Sequence, residues 1–153
     1  MIILLALLIG VIAGLRAMMA PAIVSWAAQR GWIDVSGTWF AFLAYRWTPW
    51  IFSIAAIAEL VTDQLPSTPS RKVPPQFGAR VVMGALSGAT IAAHSGGWIA
   101  GLIAGALGAV IGTFGGAAGR TALAKSFGSD RPAALMEDAI AIVGALVIVS
   151  AVG

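Results

Sequence analysis

WIAGLIAGALGAVIGTFGGAA, residues 98–118, decides the fold class. It carries no charge, and as a helix it is roughly 31 Å long, enough for a hydrocarbon core of about 30 Å. Gly101, Gly105, Gly108, Gly112 and Gly116 recur at three- to four-residue spacing. That spacing gathers small residues into a stripe where another backbone can approach closely. Gly84 and Gly88 repeat the pattern upstream. The stripe serves packing within the chain, a homo-oligomer interface, or both.

Other apolar runs surround this one. The 153 residues are 59% hydrophobic and only 10% charged, with a mean hydropathy of +0.95. So few charges cannot cover the surface of a soluble domain, where about 25% is usual. The expectation is an all-α, polytopic transmembrane helical bundle forming one integral membrane domain over 1–153, with the lipid bilayer as its main partner. The chain has no cysteine, which excludes disulfides, zinc–thiolate sites and cysteine nucleophiles. A net charge of +3 with no basic tract points to topology and not to nucleic acid. MIILLALLIGVIAG at the start lacks a basic leader region and reads as the first membrane segment.

The pattern predicts about five spans. Segment one covers 2–28, with Arg16 near its middle and a kink or break at Pro21, whose ring nitrogen cannot donate to the carbonyl of Ala17. It either bends while crossing or forms two half-helices meeting at GLRAMMAP (14–21). Trp26, Trp32, Trp39, Trp47, Trp50 and Tyr45 then cluster as an interfacial belt, and WFAFLAY is too short to span. Segment two covers 49–65, segment three 79–93, segment four 98–118 and segment five 133–152. The proline-rich stretch PSTPSRKVPPQFG and the stretch GRTALAKSFGSDRP read as polar connections. Loops 66–79 and 119–132 hold most of the basic residues, so the expected location is a bacterial inner membrane with these loops cytoplasmic. The N-terminus is then inside if segment one spans once, and outside if that segment is re-entrant. AGLRAMMA (13–20) and AAGRTALA (117–124) form a faint internal echo, each followed by an acidic helix; many transporters are built from such repeats.

Ionisable residues inside apolar helices face protein, water or a partner. The candidates for substrate or ion binding are Arg16, Glu59, Asp63, Arg120, Glu137 and Asp138, and Arg80 starts segment three beside them. Glu59 and Asp63 are one helical turn apart and repel if both are charged. An arginine, a proton or a bound cation relieves that repulsion. Arg16–Glu59 and Arg120–Glu137 are the expected ion pairs. For Glu137 and Asp138, a place near the start of the last helix offers a bland alternative, since a helix N-terminus favours carboxylates. His94 stands alone beside a Gly-Gly turn and reads as an interfacial histidine. No phosphate loop, GxSxG or HExxH pattern occurs, and no catalytic residue or cofactor is indicated.

GLRAMMAP (14–21), AELVTDQLP (58–66) and DRPAALMEDAIAIV (130–143) resemble landmarks of an uncharacterised family of bacterial integral membrane proteins, domain of unknown function 4126, over most of the chain. The resemblance implies Arg16, then Glu59 and Asp63 before Pro66, then Glu137 and Asp138. The lysine and the Asp-Ser that the family often carries around that proline are Gln64 and Ser67-Thr68 here. No activity follows from the resemblance. The residues suit a small transporter or channel-like protein whose polar site opens to the cytoplasm and takes an ion or small charged solute, with Glu59 handling a proton or cation and Arg16 as its counter-charge. Two rivals stand beside it. One is a metal-dependent membrane enzyme acting on a lipid phosphate; the other is a structural protein whose charges fix helix pairing.

Overall fold

A computed structural model describes residues 1–65, 67 and 69–153; the family landmark Pro66 lies outside the described residues. Six helices make up the fold, and no strand occurs among the described residues: α1 Ile2–Leu15, α2 Met19–Gln29, α3 Thr48–Thr62, α4 Pro74–Ala93, α5 Trp98–Phe127 and α6 Asp130–Ser150. A short 3-10 turn, Ala41–Ala44, takes up part of WFAFLAY. Of the six, α5 and α6 are long and apolar enough to cross a membrane, while α1 and α3 are apolar but shorter.

The first segment is two helices. Arg16 leaves α1 in an extended conformation (φ −140°, ψ 108°), and α2 restarts at Met19 with Pro21 in its first turn, where a missing N–H costs nothing. The two halves run in opposite directions. α1 lies alongside α5 in the same sense, Gly10 against Gly105 and Gly14 against Ala109 and Thr113. α2 then returns to the starting end, where Trp32 meets Gly153. There the Trp26 indole donates to the Ser53 hydroxyl at 3.0 Å, and Phe40 packs on Trp98 with centroids 6.2 Å apart. All six tryptophans gather at this end. In its loop, the Ser36 hydroxyl and amide bond the Asp34 carboxylate and hold it below the usual carboxylate range.

The remaining helices alternate in direction, so both termini sit at the tryptophan end. The α3–α4 linker, the α5–α6 turn and the Arg16 break share the opposite end. α4 starts at Pro74, inside the stretch expected to be a connection, because Pro74 and Pro75 occupy a first turn that tolerates them. α5 continues to Phe127, well past residue 118: TALAKSF is built of helix-compatible residues, and only Gly128, with φ 68°, stops it. The polar connection expected at 119–132 is therefore mostly helix. α6 begins at Asp130, which moves Glu137 and Asp138 into its third turn and removes the helix-terminus explanation for them.

The glycines of α5 divide between two neighbours. A Cβ on Gly101 or Gly105 would strike the α4 backbone at Gly88 or Gly84; one on Gly108 or Gly112 would strike α1 at Leu7 or Val11. These bare backbones let α1, α4 and α5 form the tight centre of the bundle. Large apolar side chains point outward instead: Ile51, Ile54 and Ile57 on α3, Ile103 and Leu107 on α5, and Val143 and Val147 on α6 are all more than half exposed.

Candidate functional site

The break between α1 and α2 exposes backbone groups that a continuous helix would have paired. Two charged side chains from other helices take them up. Arg80 of α4, buried, donates through one Nη to the carbonyls of Gly14 and Leu15 at 2.9 and 2.7 Å. Glu59 of α3 accepts the amides of Ala17 and Met18, both at 2.8 Å. A cation thus sits at the C-terminal end of α1 and an anion at the N-terminal end of α2, each favoured by the local helix dipole. The two side chains also approach each other, Nη2 to Oε1, at 3.5 Å.

Arg16 itself points into a cluster formed by α3, α5, α6 and the α3–α4 linker. Its guanidinium is 0% exposed. It donates to Asp63 through Nη1 and to Asp138 through Nε at 2.6 Å, and its Nη2 lies 3.7 Å from Glu137. Arg71 holds Glu137 with both nitrogens, at 2.5 and 2.9 Å. Arg120 holds Asp130 in the same forked manner, at 2.9 and 2.6 Å. It also reaches Asp63 at 3.5 Å and Glu137 at 3.6 Å. Gln64 donates to the second oxygen of Asp138 at 3.3 Å. Such planar, two-pronged pairing is what arginine supplies and lysine does not.

All six expected residues converge toward the end of the bundle opposite the tryptophans. Their pairing differs from expectation. Arg16 does not bind Glu59, because Glu59 is engaged by the hinge amides and Arg80; its partners are Asp63 and Asp138. Arg120 is claimed first by Asp130, with Glu137 at longer range, since Arg71 already grips Glu137. Asp130, Arg71 and Gln64 stood outside the expected set. Arg71 lies in a linker, where sequence gives no address. Arg80 had a usable signal: it precedes Gly84 and Gly88 by whole i,i+4 steps, on the face that packs against α5.

An open cavity of about 980 Å³ adjoins the cluster. Its walls include Asp63, Gln64, Arg71, Arg120, Lys125 and Arg131. Only Asp63 and Arg120 of the six expected residues reach it; Arg16, Glu59, Glu137 and Asp138 lie behind. Among the described residues, no group of three histidine or carboxylate side chains is arranged to hold a metal ion. His94 is exposed at the end of α4, remote from the cluster.

The sequence model of the family described as Domain of unknown function (DUF4126) matches residues 3–151. No curated protein matches the chain, nor does any solved structure.

Proposed function

The chain belongs to the DUF4126 family, and from that premise we propose that it is a small multi-pass membrane protein of the bacterial inner membrane. It binds a small charged solute at its basic end as part of a transporter- or channel-like cycle. The observation that carries this reading is the 980 Å³ cavity opening onto Asp63, Arg71 and Arg120, directly in front of the buried cluster. The broken helix turns Arg16 into the cluster behind that cavity, and irregular backbone at membrane depth is tolerated where it is buried in protein or lines a cavity. The outward Ile, Leu and Val of α3, α5 and α6 match a lipid-facing surface, since patches of that extent are rare on soluble monomers. Clustered tryptophans at one end, with Arg30 and Arg46 stacked on two of them, and most of the arginines and lysines at the other suit two interfaces, the more basic one cytoplasmic.

The test is thermal stability of the detergent-solubilised protein across a panel of charged solutes, comparing wild type with Ala124→Trp. Ala124 lines the cavity, so an indole there fills it. A solute-dependent rise in Tm that disappears in Ala124→Trp supports the reading. A flat panel for wild type sinks it and favours a second reading: the charges serve only to fix helix pairing. That reading has its own support, because Asp63, Glu137 and Asp138 each already have an arginine partner. An enzyme acting on a lipid phosphate through a metal has no comparable observation behind it.

A further inference from the structure

Resting on the solute-binding reading above, we infer that the cavity takes a phosphate-class oxyanion, a dianionic head carried on a larger, partly apolar body. The argument begins with charge. Four cations line the cavity, Arg71, Arg120, Lys125 and Arg131, against two carboxylates, Asp63 and Asp130. The interior partners settle most of these. Arg71 is matched by Glu137, Arg120 by Asp130, and Asp63 by Arg16. Lys125 and Arg131 remain. Both are exposed, and neither makes an ion pair or hydrogen bond through its side chain among the described residues. Arg16 also serves Asp138. Across the wall and its interior partners, five cations, Arg16, Arg71, Arg120, Lys125 and Arg131, therefore face four carboxylates, Asp63, Asp130, Glu137 and Asp138. The site keeps a net positive charge, and Lys125, from the last turn of α5, and Arg131, from the first turn of α6, are its unpaired cations.

The backbone adds to this. α6 starts at this wall, and its N-cap Ser129 makes no side-chain bond to the first-turn amides. The amides of Asp130 and Arg131 have no intrahelical acceptor and accompany the positive end of the helix dipole. A cationic ligand would meet net repulsion from this wall. A small bare anion would leave most of the volume empty, whereas Leu65, Pro69 and Ala117 offer apolar surface for a ligand's remainder. A phosphate monoester fits both features, whether it arrives as a soluble metabolite or as a lipid headgroup.

The experiment uses the full chain in detergent at fixed ionic strength, with glycerol 3-phosphate as the soluble probe, spermidine as the cationic one and potassium chloride as control. A second arm uses phosphatidylcholine vesicles with and without phosphatidic acid. Lys125→Ala/Arg131→Ala is the matched variant; both side chains are exposed and unpaired, so its unliganded Tm stays at the wild-type value. Stabilisation by glycerol 3-phosphate, with apparent affinity weakened about tenfold or more in the double variant, establishes a soluble phosphate ligand. Binding to phosphatidic acid vesicles alone, lost in the double variant, establishes the same chemistry with a lipid source. Stabilisation by spermidine and not by either phosphate overturns the inference while leaving a charged-solute site in place. Phosphate binding unchanged in the double variant overturns the assignment to this cavity. No response to any probe removes both readings.

Discussion

Arg16 has no water to fall back on. It is fully buried, and Asp63 and Asp138 depend on it. Arg16→Ala leaves those carboxylates with only peripheral partners, and breaking a buried pair of this kind costs about 3–5 kcal/mol. A large fall in Tm is expected, and Arg16→Lys recovers little of it, because one ammonium cannot fork between two helices. Thermal unfolding of both variants checks this; a Tm near wild type for Arg16→Ala would remove Arg16 from the centre of the network. Glu59 makes a different prediction. Both its oxygens accept backbone amides, so Glu59→Gln turns an NH₂ toward an N–H. The cost is about 1–3 kcal/mol for a buried donor left unpaired. Protease or hydrogen-exchange mapping should show that loss first at residues 14–21, where the amides lie. The charged positions stood out in the sequence because each interrupts an apolar stretch. Their pairing did not, since within one cluster the choice between Glu59 and Asp63 for Arg16 turns on which acid faces the hinge amides.

Helix ends show most clearly where sequence reading stopped. The apolar parts of α4, α5 and α6 fall where hydropathy places them. Their polar extensions do not, because Thr121, Lys125 and the proline pair at 74–75 look like loop residues yet satisfy helix geometry. The same limit hid the turn in segment one: Pro21 marks a break that falls a few residues earlier, at Arg16. The reversal of direction comes from the seat of α1 on α5, the packing of α2 against α3, α4 and α6, and the capping by Arg80 and Glu59. The glycines of α5 allow a sharp comparison. Gly108→Ala and Gly112→Ala push a methyl into the α1 backbone and should destabilise by about 1–3 kcal/mol through overpacking. Gly115→Ala and Gly119→Ala meet open space and should stabilise by about 0.5–1 kcal/mol, as glycine removal from a helix interior does. Unfolding in one detergent gives all four values, and equal effects across the set would contradict the packing described for α5.

For the bundle as a whole, the arrangement of ends is the firmest expectation. Both termini and the tryptophan-rich loop occupy one end; the linker after α3 and the turn after α5 occupy the other. The chain is free of cysteine, so single cysteines report without background. Ser36→Cys and Ser126→Cys are expected to react with a membrane-impermeant maleimide from opposite sides of intact cells or oriented vesicles. Labelling of both from one side would refute the alternating path of the six helices.

The seat for α1 also sets a timetable. Gly14 packs against, and accepts a bond from, Thr113 at 3.4 Å, 99 positions further along. Ribosomes add about 5–20 residues per second, so the first hairpin leaves the ribosome several seconds before its docking surface exists. Asp138, which grips Arg16, comes later still, 122 positions downstream. During that interval a hairpin of 14- and 11-residue helices carries an arginine whose partners on α6 have yet to be made. The part of the protein made first is the part completed last, and maturation of the fold is a closing step that follows release of α6.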